Sequence, residues 1–235
     1  AYVRNKRVEF ISHGNAEIED ATSLGPHLGV HIIRDPRDIV VSAYFSHLRS
    51  HSTAKWPELV DYRERLQSAS KEEGLQMEIE NRANEFRQMS TWDYNQDHIL
   101  ELRFEEVVTC SFDSLLQIFD HLQLLGRTNH RWPERARYLL LDFIDYVFRN
   151  PQSRLCKRMK PETLCGAEIL AIAWRNRFEA RTAGRNVGEE NTSSHFRKGQ
   201  PGDWKNHFTD EHKQFFNKLY PTLLIDLGYE TSGRW

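Results

Sequence analysis

Gly29-Val-His-Ile-Ile-Arg-Asp-Pro-Arg-Asp-Ile-Val-Val-Ser42 is the stretch whose reading decides the fold. Its first five residues are apolar enough to form a strand inside a parallel sheet. Beyond them, Asp35 is a good helix N-cap, Pro36 suits the first helical position, and Asp38 adds negative charge to the first turn. The pattern predicts a helix from there to about His51. Arg34 therefore stands at a strand's carboxyl end, just before a helix N-terminus. Open α/β sheets bind ligands at that edge. A guanidinium there and the Ser42 hydroxyl, two turns into the helix, could both reach one phosphate, because arginine offers planar, bidentate contact to phosphate oxygens. The helix N-terminus adds a favourable field. An ordinary cap with a salt bridge has the same pattern, so the segment alone leaves both readings open.

Working outward, Val8-Glu-Phe-Ile11 reads as a short strand ended by Ser12-His13-Gly14-Asn15, and His98-Ile-Leu-Glu-Leu-Arg-Phe104 as a third. Residues 58–90 are charge-rich and helical in pattern, with a solvated helical pair as the plainest reading. Amphipathic helices are expected over Phe112 to Leu125, Pro133 to Phe148 and Gly166 to Ala180. Residues 181–207 carry Gly184, Gly188, Gly199, Pro201 and Gly202 and are expected to form a long loop, which in a compact domain is usually functional or disordered. Thr209 to Gly228 reads as a final helix, capped by Thr209 or Asp210 and stopped by Gly228. No internal repeat and no linker divides the chain, so 1–235 is expected to be a single domain.

The 235 residues suit one large α/β domain. With 39% hydrophobic and 28% charged residues, the composition is that of a soluble globular protein. The balance of 32 basic against 34 acidic residues argues against a general nucleic-acid binder while leaving room for a local basic pocket. Three cysteines, Cys110, Cys156 and Cys165, without CxxC spacing suggest neither a disulfide framework nor a zinc site, and point to a reducing, cytoplasmic setting. No apolar run approaches the ~20 residues of a transmembrane helix.

A second segment, Arg197-Lys198-Gly199-Gln200-Pro201-Gly202-Asp203-Trp204, puts two adjacent cations before a glycine. Such a turn can clamp a phosphate, since the glycine lets the backbone approach and its N–H join the contact. An exposed basic turn is the plainer alternative. Taken together, Arg34 to Ser46 and Arg197 to Thr209 resemble, in order and spacing, the two 3′-phosphate-binding motifs of the sulfotransferases that use 3′-phosphoadenosine 5′-phosphosulfate (PAPS). The likeness spans essentially the whole chain and looks closest to the soluble, cytosolic-type branch and its bacterial relatives. The resemblance implies a three-layer α/β/α fold with a parallel sheet, related to the P-loop kinases. It implies sulfuryl transfer from PAPS to a hydroxyl or amine of a small-molecule, lipid or carbohydrate acceptor, giving 3′,5′-ADP, with no metal required.

By position, the resemblance places Arg34 and Ser42 on one side of the 3′-phosphate and Arg197, Lys198 and the Gly199 N–H on the other. Phe104 falls where the family usually has a tyrosine beside the adenine. Phe178 matches an aromatic residue near that base, and Asn176 a small polar position. For both phenylalanines core packing is the competing role. His13 stands where relatives carry the general base, and an imidazole can accept a proton near neutral pH. Two departures stand out. Ile11 replaces a lysine that relatives often have, and none of the 12 residues before His13 reads as the family's 5′-phosphosulfate loop. The expectation is therefore an N-terminally incomplete domain, with a catalytically impaired binder of PAPS or 3′,5′-ADP as the alternative to an active enzyme. Lys205 and Thr209 match the beginning of the family's dimer motif, but Asp210 and Gln214 depart from it, so the resemblance does not extend to that dimer and the oligomeric state is left open.

Overall fold

A computed structural model describes residues 10–14, 17–54, 56–126 and 164–235. They cluster into two compact units, one formed by Ala1–Thr109 with Phe178–Trp235 and the other by Cys110–Arg177.

In the first unit, a short helix α1 (Ile18–Thr22) precedes strand β1 (Gly29–Ile33), which pairs in parallel with β2 (Ile99–Arg103). The register runs from Gly29 opposite Ile99 to Ile33 opposite Arg103. Gly29 is glycine for a packing reason: a Cβ there would stand 2.5 Å from Ile99 Cδ1. Parallel strands end on the same edge, so the residues that follow, Arg34 and Phe104, emerge side by side. Among the described residues the sheet has these two strands, and Ile32 on β1 is 44% exposed. The expected strand at Val8–Ile11 is not seen in its described part. Phe10 and Ile11 are exposed and irregular, while Val8 and Glu9 lie outside the described residues.

Helix α2 (Pro36–Phe45) starts as its sequence dictates. Asp35 caps it by accepting the Arg37 N–H at 2.9 Å, and Pro36 occupies the first turn, where a missing N–H costs nothing. The helix then widens into a π-helical turn, Ser46–Ser50, closed by the His51 N–H on the Ser46 carbonyl at 2.7 Å. Residues 58–90 form three helices rather than a solvated pair: α3 (Leu59–Ser68), α4 (Lys71–Asn81) and α5 (Ala83–Thr91). Ser70 and Glu73 close a capping box on α4. Leu66, Leu75, Ile79 and Phe86 from these helices join Val40, Val41 and Tyr44 of α2 in the core. The charge of the stretch hid this, and one charge is itself interior: Glu78 is fully buried, with its Oε1 2.7 Å from Nδ1 of His47.

Helix α6 (Phe104–Thr109) leaves the end of β2. The chain returns to the first unit with α9 (Phe178–Arg181), a 3₁₀ turn (Asp203–Asn206), α10 (Asp210–Leu219) and α11 (Leu223–Asp226). The expected single helix from Thr209 to Gly228 is thus two. Pro221 cannot donate to the preceding turn and separates them. Gly228, at φ +68°, ends the second. Phe208, Phe216, Leu223, Leu224 and Leu227 complete the core, and truncating the fully buried Phe216 to alanine would cost about 3–5 kcal/mol.

In the second unit, α7 (Ser111–His121) and α8 (Gly166–Asn176) pack together, and Leu125 and Leu164 form an isolated parallel bridge. The predicted Gly166–Ala180 helix breaks at Arg177, whose ψ of 157° is extended. The predicted Pro133–Phe148 helix and Cys156 lie outside the described residues. Among the described residues no helix is long and apolar enough to cross a membrane.

Candidate functional site

The pentapeptide Arg34-Asp-Pro-Arg-Asp38 holds two arginines with opposite surroundings. Arg37 is 3% exposed and fully engaged. Its Nε and a terminal nitrogen donate to Asp35 at 2.9 and 2.8 Å, and the other terminal nitrogen donates to Glu230 at 2.5 Å. Its guanidinium lies 3.9 Å from the Trp204 ring centre and 4.7 Å from that of Trp235. Arg37 is therefore a packing element that fixes the helix start against the C-terminal segment. Arg34 instead lies with its guanidinium carbon 4.8 Å above the Phe104 ring, and its Nε is buried with no hydrogen-bond partner. Burial pushes the Arg34 pKa down. The charges of Asp38 and Glu105 oppose that, and the nearby Arg197 adds to it. A buried donor without a partner is costly, so the guanidinium stands ready for an anionic acceptor.

The second bank is the C-terminal loop. Asp203, 3% exposed, accepts Lys198 Nζ at 2.5 Å, an Arg197 terminal nitrogen at 2.5 Å and Asn206 Nδ2 at 2.8 Å. Burial alone would raise its pKa. The hydrogen bonds from Lys198, Asn206 and Arg197 outweigh burial and hold the carboxyl well below its usual range. The other terminal nitrogen of Arg197 pairs with Glu190. His207 Nε2 lies 3.1 Å from Asp203, and burial lowers the pKa of that imidazole. Glu190, Asp203 and His207 bring one ligand atom each within 4.8 Å of one another. Because Asp203 and Glu190 already receive Arg197 and Lys198, the trio reads as part of a cationic network rather than a metal centre.

Arg185 gives this glycine-rich loop its shape. It donates to the carbonyls of Glu189 and Arg197 at 3.0 Å and of Phe196 at 2.5 Å. Gly188 N–H meets the Lys198 carbonyl at 2.9 Å, and Asn191 N–H the Arg197 carbonyl at 2.8 Å. At Gly199, φ is +66° and an added Cβ would stand 2.3 Å from the Phe178 ring. Glycine is required there twice over, by conformation and by the ring lying on its backbone.

The banks meet across α2. Phe45 carries the Arg197 guanidinium 4.6 Å from its ring centre, and Ser42, three residues earlier, shares its helical face. Arg34, Ser42, Phe104, Phe178, Arg197, Lys198 and Gly199 all lie in one unit, with Arg34 on Phe104, Arg197 on Phe45 and Phe178 against Gly199. Two predicted residues are not among these. Asn176 is the exposed last residue of α8, in the other unit, and its amide donates to the Ile172 carbonyl at 2.9 Å. His13 lies in an exposed, irregular stretch rather than at the end of a strand. Sequence reading missed Arg185, Asp203 and Glu190 as organisers of the loop. Only Asp203 carried a signal, by standing inside the basic turn itself.

Residues 174–228 match the family model of the sulfotransferase domain. The matched stretch includes Asn176, Phe178 and the Arg197-Lys198-Gly199 turn. With the parallel β1–β2 pair and its helices, it supports an α/β sulfotransferase fold and a sulfotransferase function. A search of curated proteins found no match.

Proposed function

We propose that the site binds the 3′-phosphate of PAPS and of its product 3′,5′-ADP, and that the chain's parent activity is sulfuryl transfer to a hydroxyl or amine. The observation that carries this reading is the buried, unpartnered Nε of Arg34, set beside a loop with two further cations. A dianionic phosphate supplies the acceptors this group lacks, and arginine forks suit its oxygens. In this reading Arg34 and Ser42 hold the phosphate from the β1 side, and Arg197, Lys198 and the Gly199 N–H from the loop side. Phe104 and Phe178 present ring faces to the adenine. His13 takes the proton of the acceptor as its oxygen or nitrogen bonds to sulfur and the bond from sulfur to the phosphate oxygen breaks.

A second reading is a binder that turns over poorly. The exposed, irregular setting of His13 favours it, because a general base must be held within hydrogen-bond reach of the proton it removes. Calorimetric titration with 3′,5′-ADP and with ADP tests the shared premise. Binding that requires the 3′-phosphate and is indifferent to magnesium is the expected result. Equal affinity for both nucleotides, or none for either by folded protein, would remove the basis for the assignment. Product formation from labelled PAPS, lost in His13→Ala, then separates the active from the impaired reading.

A further inference from the structure

Asp38 is 1% exposed, in the first turn of α2, one helical turn from Arg34. Its two carboxylate oxygens accept the backbone N–H of Gly202 at 2.6 Å and of Trp204 at 2.9 Å. The two amides lie 164 and 166 residues along the chain from it. Gly202, at φ +78°, turns the backbone so that amides two residues apart face one carboxylate, a conformation that favours glycine. These bonds tie the loop bearing Arg197, Lys198 and Asp203 to the strand end bearing Arg34.

The tie works against electrostatics. Arg197 depresses the pKa of Arg34, so the two cations feel each other across the gap. Like charges brought together need something to hold them. Asp38 does so by tethering the loop backbone and by placing its own negative charge near Arg34. Burial pushes the Asp38 carboxyl pKa up despite the two amide bonds. Its ionised form therefore costs stability relative to the unfolded chain, and losing that charge need not unfold the protein.

We infer that Asp38 is a positioning residue for the 3′-phosphate: it touches no ligand, and it makes one anion site from two distant segments. The inference rests on the phosphate-site reading above. In the Asp38→Asn variant the side-chain shape is kept, but one amide loses its acceptor and the negative charge is gone. The variant is expected to keep its circular dichroism and its affinity for ADP. Its affinity for 3′,5′-ADP should fall about tenfold or more, the scale of a misplaced charge-assisted contact.

Titration of wild type, Arg34→Ala and Asp38→Asn with both nucleotides separates the ways this can fail. A wild type that does not discriminate between the nucleotides overturns the phosphate-site reading and this inference with it. A wild type that discriminates, with Arg34→Ala losing the preference and Asp38→Asn keeping it, overturns the positioning role alone. Equal losses for both nucleotides in Asp38→Asn also overturn it, because they mark general damage. Should Asp38→Asn fail to fold, hydrogen exchange of wild-type Gly202 and Trp204 amides decides. Slowing by 3′,5′-ADP but not by ADP supports the role, and equal slowing by both overturns it.

Discussion

The cations of the strand end and those of the C-terminal loop carry the same charge but are held differently. At the carboxyl end of β1, Arg34 is desolvated, stacked on Phe104 and left with an unpartnered Nε. In the loop, Arg197 and Lys198 already sit on carboxylates, both on the buried Asp203 and Arg197 also on Glu190. An anion reaching Arg34 satisfies a donor that lacks a partner. One reaching the loop must share cations with, or take them from, side chains of the protein itself. Arg34 should therefore contribute most of the affinity, and the loop should add less and tune it.

Three substitutions can break or sharpen that contrast. Arg34→Ala should have the largest effect, a loss of about 100-fold in affinity for 3′,5′-ADP, or on the order of 2–3 kcal/mol for a charge-assisted pair. ADP affinity should change little, as read by calorimetry. A small effect would mean that Arg34 is as neutralised as the loop cations. Lys198→Ala should cost less, about tenfold, because free Lys198 gives up its 2.5 Å contact with Asp203 when it serves the ligand. A loss equal to that of Arg34→Ala would erase the contrast. Glu190→Gln should have the smallest effect and the opposite sign. Glu190 is more than a third exposed, and such pairs are worth roughly 0.2–1 kcal/mol, so releasing Arg197 from Glu190 should tighten 3′,5′-ADP binding by about 1.4- to fivefold. Unchanged or weaker binding would show that Glu190 does not compete with the ligand.

Much of this was legible before any coordinates. The five apolar residues of β1, the Asp35 cap and Pro36 at the helix start are local signals, and each appears where those signals put it. The 98–104 strand and the glycine stop at Gly228 were legible for the same reason. The charge-rich stretch 58–90 misled because its apolar residues, Leu66, Leu75, Ile79 and Phe86, are spaced among many charges, and only packing against α2 shows which face is interior. The final helix was overextended across Pro221, a local signal that should have ended it. The strand expected at Val8–Ile11 had a suitable composition, yet Phe10 and Ile11 are irregular and exposed. A run that short forms a strand only where another strand receives it.

For the candidate site, the sequence displayed an arginine fork, a hydroxyl and a glycine turn at Arg34, Ser42, Arg197, Lys198 and Gly199, but each segment kept a plainer reading until its resemblance to the family's motifs was added. Sequence also determined the strand-to-helix junction that puts Arg34 at a sheet edge, since caps and apolar runs act over a few residues. Tertiary structure alone decided what each charge does. Two arginines of one pentapeptide became a packing element held against two indole rings and a buried donor lacking a partner, because Trp204, Trp235 and Glu230 come from the far end of the chain and engage Arg37. It likewise decided that Asp38 binds the C-terminal loop and that Asp203 gathers its cations. Burial and long-range hydrogen bonds set the free energy of a charge, and neither is fixed until segments far apart in the chain have packed together.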